Sequence, residues 1–218
     1  MAKSDNFRTE AEQVGEARLS YGQGLYEARK DDKGSEKYSI TLIFDQGSEG
    51  EKILKKLVKE AVIGKWGDNG VELFKADMIK YPILSGTGKS ARNKETGEIK
   101  EGLGEGKVFI RPSRNSQVGP PQVVDQRVLP ITFEDYKKGK IKSGDYVYPV
   151  LNAYTWENEE QGKGVSFGLE MVQLVKKGDA LGGDGAGRDP KEFYKKIDTS
   201  GGAGDKPASE TSADNLFD

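Results

Sequence analysis

Alternation of apolar and polar positions dominates the chain. In "VGEARLSYGQGLYEA" (14–28) Ala17, Leu19 and Tyr21 fall on one side, and Glu16, Arg18 and Ser20 on the other. That is the two-residue period of a half-buried strand. "KYSITLIFD" (37–45) repeats it, with Tyr38, Ile40, Leu42 and Phe44 on one face, and "KDDKGSE" between the two reads as a hairpin-like connection. The period then changes. Ile53, Leu57 and Ala61 join Leu54, Val58 and Val62 in one helical stripe over 48–67. Ser48 and Glu51 have capping-box spacing, and Gly64 offers a stop.

Residues 1–13 are polar and predict a flexible arm. Residues 71–106, above all "SGTGKSARNKETGEIKEGLGEG" (85–106), predict a long mobile loop. Strand signals return at "KVFIRPS", "QVVDQRVLP", "GDYVYPVLNAYTW" and "GVSFGLEMVQLV". In the last, Val165, Phe167, Leu169 and Met171 share a face before Val172 and Leu174 take the other. A switch of phase within one strand predicts a bulge or a sharp coil, as in small closed barrels. One helix among many strands indicates a mainly β domain with a single covering helix, not an alternating α/β fold.

One strand carries an unusual row. Tyr146, Tyr148, Tyr154 and Trp156 fall on even positions with Val150 and Asn152, whereas Val147, Leu151 and Ala153 fall on the other face. Aromatic rings suit a core. The other face is the better core, however, and Asn152 would be costly among apolar groups. Pro149 favours an edge or a bulge. The row therefore reads as a ligand-facing platform, with Tyr154 and Trp156 nearest the "ENEEQGKG" loop.

Composition narrows the chemistry. The 218 residues contain no Cys and no His. Disulfides, Cys/His zinc sites, a Cys nucleophile and a His general base are all excluded. The first residues lack the apolar stretch of a signal peptide, and no apolar run is long enough to span a bilayer, so no membrane association is expected. The net charge of −2 conceals an asymmetry. Residues 198–218 hold five acids and one lysine, which leaves 33 basic and 31 acidic residues in 1–197.

"KVFIRPSR" (107–114) alternates too. Val108 and Ile110 suit a core, while Lys107, Phe109 and Arg111 face the other way, with Arg114 just beyond. Cations with a ring fit single-stranded nucleic acid, since cations meet phosphates and rings stack on unpaired bases. A solvated strand face with one semi-buried Phe remains the plainer alternative. "SGTGKSAR" is not a P-loop, because Ile83 stands where the first Gly is needed and no amphipathic helix follows. Its Lys89, Arg92 and Lys94 could still touch phosphates. Carboxylate pairs such as Asp125 with Glu170 have no fixed spacing, so no metal site or cofactor is expected. The closing "ETSADNLFD" sets Leu216 and Phe217 between Asp214 and Asp218, a pattern suited to a partner's apolar pocket rimmed by bases.

Together these segments resemble the OB-fold single-stranded-DNA-binding proteins of tailed bacteriophages. The resemblance rests on "EARLSYGQGLYEA", "KYSITLIF", "GKWG", "GKVFIRPS", "PPQVVD" and, most specifically, "GDYVYPVLNAYTWENEEQGKGVSFGLEMVQLVKKGDALGG" (144–183). It implies a five-stranded OB-type barrel over 14–183 with one covering α-helix, followed by a linker and disordered acidic tail over 184–218. It also implies a non-enzymatic, sequence-nonspecific ssDNA-binding protein of phage replication, recombination or repair, acting in the cytoplasm of the infected host. The candidate contacts are Lys107, Phe109, Arg111, Arg114, Tyr148, Tyr154, Trp156 and Lys163. Asp214, Leu216, Phe217 and Asp218 are the candidates for binding phage replication proteins. Homo-oligomerisation stays open. The alternatives are a metal-dependent DNA-processing enzyme and a virion or scaffolding protein.

The tail generates the first test. Removing residues 198–218 takes away five carboxylates, so ssDNA affinity should hold or rise, most at low salt where screening is weakest. Phe217→Ala should abolish partner capture in a pull-down yet leave an oligo-dT titration unchanged. Weaker DNA binding after truncation contradicts the charge argument.

Overall fold

The computed structural model describes residues 6–30 and 34–182. The tail candidates Asp214, Leu216, Phe217 and Asp218 lie outside them. The described chain is mainly β with one main helix. In chain order the elements are β1 (Glu12–Gln13), β2 (Ala17–Ser20), β3 (Arg29–Lys30), β4 (Glu36–Ser39), β5 (Thr41–Asp45), α1 (Glu49–Lys75), β6 (Ile79–Lys80), β7 (Leu84–Ser85), β8 (Lys107–Ile110), β9 (Ser113–Asn115), β10 (Gln122–Val124), α2 (Phe133–Lys137), β11 (Tyr146–Asn158) and β12 (Gly162–Lys176).

All twelve strands join one sheet with the path β3-β4-β9-β12-β11-β2-β5-β8-β7, and β1 is added to β11 and β6 and β10 to β12. The count differs from the five expected. Two of the long segments are interrupted by a bend. Ile40 separates β4 from β5, and Arg111 and Pro112 separate β8 from β9. Proline has no N–H to give to a ladder. The two broken segments remain paired along their length, with Tyr38 opposite Arg114 and Ile43 opposite Phe109. A parallel bridge between Ser113 and Gly168 joins β9 to β12.

The phase switch in β12 is a bulge. Val150 pairs with Met171 and Leu151 with Leu169, so Glu170 is the extra residue. Before it Val165, Phe167 and Leu169 are buried, and after it Val172 and Leu174 are. Met171, expected on the first face, is 45% exposed, because the extra residue turns the strand at that point. The inner faces of β2, β5, β11 and β12 meet the stripe Leu54, Leu57, Val58, Ala61 and Val62 of α1 in one core.

Helix α1 begins at the expected Ser48 cap, but the reciprocal bond of a capping box is missing because the Glu51 carboxylate takes the Gly47 N–H and not that of Ser48. Ser48 Oγ accepts from the Glu51 N–H at 3.3 Å, while the Glu51 carboxylate accepts from the Gly47 N–H and pairs with Lys55 at 2.8 Å. It does not stop at Gly64. The helical run continues to Lys75 across a break at Gly67 (φ 60°, ψ −147°). Gly64 has another role, since a Cβ there would lie 2.4 Å from the Phe7 ring.

Phe7 belongs to the segment expected as a loose arm. Residues 6–13 instead lie along β11. The Thr9 N–H donates to Ala153 O and the Thr155 N–H to Phe7 O, both at 2.9 Å, before β1 pairs with Leu151 and Val150. The expected 71–106 loop also has a defined path. Residues 71–75 finish α1, and Ala91 is fully buried with Ile43, Phe109 and Leu181 in a second cluster that Leu84 and Leu103 pack against.

Two hydrogen bonds hold the Glu51 carboxyl below its usual range, the larger from Lys55 and the next from Gly47. A depressed carboxyl stabilises the fold above its unfolded value, about 4.3, and that contribution disappears as pH falls through the lower folded value. Glu51→Gln should therefore cost about 1 kcal/mol near neutrality, and the difference from the parent should shrink in acid. Urea melts across pH 2–7 measure it, and a pH-independent difference contradicts the assignment.

Candidate functional site

Strand β11 resolves the aromatic row. Val147, Leu151, Ala153 and Thr155 are fully buried. On the even side Tyr146, Val150, Tyr154 and Trp156 are half-buried and Tyr148 is exposed. The rings are therefore not the core. Asn152 breaks the pattern, being 2% exposed among them. Its amide is satisfied by charge. Arg8 Nη1 donates to Asn152 Oδ1 at 2.7 Å, and Asn152 Nδ2 donates to Glu170 Oε1 at 2.8 Å. Since Arg only donates and a carboxylate only accepts, the two neighbours fix the amide's orientation. Glu170 Oε2 then accepts from Arg114, whose Nε and Nη1 also donate to Gly119 O at 3.1 Å and Leu169 O at 3.3 Å.

Arg8, Glu170 and Arg114 of this chain line a cleft of about 500 Å³, with the Asn152 amide buried behind them. Tyr154, Lys37 and Asn115 complete its polar wall. The Arg8 guanidinium lies over the Tyr154 ring, 4.9 Å from its centroid. Gly168 makes room for the network, because a Cβ there would come within 2.5 Å of Asn152 Oδ1.

Trp156 is two residues further along the same face. Its Nε1 donates to Ser166 Oγ at 3.0 Å, and its ring lies against Gly164 opposite, where a Cβ would be 2.2 Å from a ring carbon. Lys80 Nζ is 5.8 Å from the ring centroid. The glycine makes room for the indole, which is half-buried.

The remaining candidates divide. Arg114 and Tyr154 share the cleft, and Trp156 lies two residues beyond Tyr154 on the same strand face. Lys163 pairs with Glu157 at 3.2 Å beside the 158–162 turn. Tyr148 lies eight residues from Trp156, roughly 26 Å along an extended strand, and does not belong to this cleft. Lys107 is ion-paired with Asp45. Phe109 is corrected from a stacking ring to a core residue. It is 1% exposed, because the 85–106 segment folds over it. Arg111 lies over its ring, with the guanidinium 5.3 Å from the ring centroid and Nη2 donating to Ser90 O at 2.9 Å.

Arg8 and Lys37 were missed. Arg8 stands in a polar stretch with no periodicity, so nothing local ties it to β11. Asn152, a misfit in an aromatic row, was the one signal of a polar neighbour. The carboxylates Asp125 and Glu170 are engaged separately. Asp125 Oδ1 accepts from the Arg127 and Leu129 N–H groups, both at 2.9 Å, and closes a turn. Among the described residues no three His, Cys, Asp or Glu side chains are grouped to hold a metal ion.

A family described as the Enterobacter phage Enc34 ssDNA-binding protein has a sequence model that matches residues 12–201. The solved structure of the single-stranded DNA-binding protein from bacteriophage Enc34 in complex with ssDNA is similar, at 21% identity and TM-score 0.50, over 83% of this chain and 91% of that one. Gp2.5, the single-stranded DNA-binding protein encoded by bacteriophage T7, has a TM-score of 0.52 at 14% identity, over 90% of this chain and 99% of its own. At these identities the likeness is one of fold. The protein p50 of Acyrthosiphon pisum secondary endosymbiont phage 1 is 30% identical over 133 residues, which are 61% of this chain and 64% of that relative's length.

Burial separates two aromatic roles. Phe109→Ala should destabilise the fold by about 3–5 kcal/mol. Trp156→Ala should leave the unfolding midpoint nearly unchanged and weaken ssDNA binding by about 1–3 kcal/mol. Paired denaturation and oligo-dT titrations check both, and a Trp156→Ala protein that unfolds with no binding defect when folded reverses the assignment.

Proposed function

The chain belongs to the Enc34 phage ssDNA-binding protein family, and from that membership and the cleft we propose that it is a non-enzymatic protein that coats single-stranded DNA without sequence preference. The observation that carries the reading is the pair of half-buried rings, Tyr154 and Trp156, two residues apart on one strand face and each beside a cation, Arg8 or Lys80. Rings roughly 6.6 Å apart along a strand can meet successive unpaired bases. Every base has a π-face, so such a platform tolerates any sequence. Lys37 and Arg8 at the cleft wall supply charge for the backbone. Arg114 contributes by position, since its fork is engaged by Glu170 and two carbonyls.

The reading includes an OB-type barrel, which the order of strand pairing supports. Five segments, 17–20, 36–45, 107–115, 146–158 and 162–176, pair in the cyclic order first, second, third, fifth, fourth, with the parallel bridge Ser113–Gly168 joining the third to the fifth. The same reading assigns the protein to phage DNA replication, recombination or repair in the infected cell. Replication proteins would be held by Leu216 and Phe217.

Oligo-dT should bind much more tightly than a duplex of equal length, because a paired base cannot reach Tyr154 or Trp156. The logarithm of affinity should fall linearly with the logarithm of salt, by about 0.7 per phosphate neutralised. Equal, salt-insensitive affinity for both forms removes the proposal.

A further inference from the structure

Among the described residues that line the Tyr154 cleft, Glu170 is the one acidic side chain, and the other charged groups are Arg8, Lys37 and Arg114. A carboxylate is unexpected on a surface that follows phosphates, because like charges repel. Its place follows from the bulge. As the unopposed residue of β12 it leaves the alternation that buries Leu169 and Val172. Its side chain reaches across the hairpin to Asn152, two residues before Tyr154 on the same face of β11.

Holding the network does not use up this carboxylate. Oε1 accepts from Asn152 Nδ2 at 2.8 Å, and Oε2 accepts from Arg114 Nη1. A carboxylate offers about four acceptor positions, so these two bonds leave room for more. The side chain is also 31% exposed where it borders the cleft. The neighbouring groups differ in kind. Arginine and lysine only donate, and Asn115 Oδ1 already accepts from the Gln117 N–H at 2.9 Å. Glu170 is therefore the strongest acceptor on a wall made largely of donors, and it stands directly beside the Arg114 guanidinium.

Bases differ in what they bring to such an acceptor. Cytosine, adenine and guanine each carry an amino group that donates, and a carboxylate accepting from cytosine N4 is a recognised mode of base reading. Thymine has no amino group. Its single imino N–H lies between two carbonyl oxygens, which a carboxylate repels. We propose that Glu170 is a specificity residue, which accepts a hydrogen bond from the amino group of the base stacked on Tyr154 and so favours amino-bearing bases over thymine. The proposal rests on the ssDNA reading and deepens it. Stacking still admits every base, and Glu170 adds a compositional bias at one position of the platform.

Cytosine against thymine is the sharpest comparison, because both are pyrimidines of similar stacking area. In titrations of the full chain near neutral pH, oligo-dC should bind about threefold to tenfold more tightly than oligo-dT of equal length, the yield of one net hydrogen bond. An oligonucleotide of N4,N4-dimethyl-deoxycytidine keeps the ring but has no N4–H, and should bind no better than oligo-dT, a readout that needs no variant to fold. In Glu170→Gln the side-chain amide donates as well as accepts, so the ratio of oligo-dC to oligo-dT affinity should fall to one or reverse. That ratio does not depend on the fraction of protein that is folded. A residue that only braced Asn152 and Arg114 would weaken both oligonucleotides alike and leave the ratio as it was. Three results overturn the proposal and leave the ssDNA reading standing: oligo-dC binding the parent no better than oligo-dT, the dimethylated oligonucleotide binding as tightly as oligo-dC, or an unchanged ratio in Glu170→Gln. Failure of the parent to bind either oligonucleotide overturns both.

Discussion

The antiparallel pairing of β11 with β12 is the constraint on which the rest of the molecule depends. These strands run for 13 and 15 residues, and half of the other ten strands pair directly with one of them. β1 and β2 pair with β11, and β6, β9 and β10 with β12. A side-chain period of two means that a slip of one residue would exchange Leu151 and Ala153 for Asn152 and Tyr154 in the core. The bulge at Glu170 is a controlled version of such a slip. It keeps Leu169 and Val172 both inside and frees Glu170 to reach Asn152 and Arg114.

That bulge links fold to site. A buried asparagine is costly unless its amide is fully engaged, and Asn152 is engaged because Arg8 arrives on one side and Glu170 on the other. Removing Arg8 or Glu170 would leave one end of the buried amide without its partner. The network therefore orients Arg8 over Tyr154 as a consequence of satisfying Asn152. Glycine completes the arrangement twice, at Gly168 under the network and at Gly164 under Trp156. Both strands of the hairpin thus contribute to one surface, with side chains from β11 and space from β12.

The 36–45 and 107–115 ribbon shows how one surface can be divided. On its inner face Leu42, Phe44, Val108 and Ile110 join the main core. On its outer face Ile43 and Phe109 would be exposed aromatic and aliphatic surface, were they not covered by Ala91, Leu103 and Leu181. The sheet at that point is buried on both sides. Its cations are consequently displaced to the margins, where Arg111 and Lys100 border a cavity and Lys107 meets Asp45.

Periodicity alone determined the strands at 17–20, 37–45, 107–110 and 146–176, the apolar stripe of α1 and a break of phase in β12, which the register with β11 then resolved as a bulge rather than a sharp coil. These follow from local rules, because a strand or helix must present one apolar face. The solvent-facing character of Tyr154 and Trp156 was likewise readable from the better core on the opposite row. Contacts distant in sequence decided the rest. Whether Phe109 is a stacking ring or a core residue depends on where residues 85–106 go, and a Gly-rich, charged composition does not reveal that Ala91 and Leu103 will cover it. Arg8 acquires a role only because residues 6–13 add to β11, an edge pairing made by backbone groups that every residue shares. Gly64 resembles a helix stop in sequence, yet in space it is the place where Phe7 crosses the helix. In each case the local pattern was compatible with two arrangements, and packing between distant segments selected one.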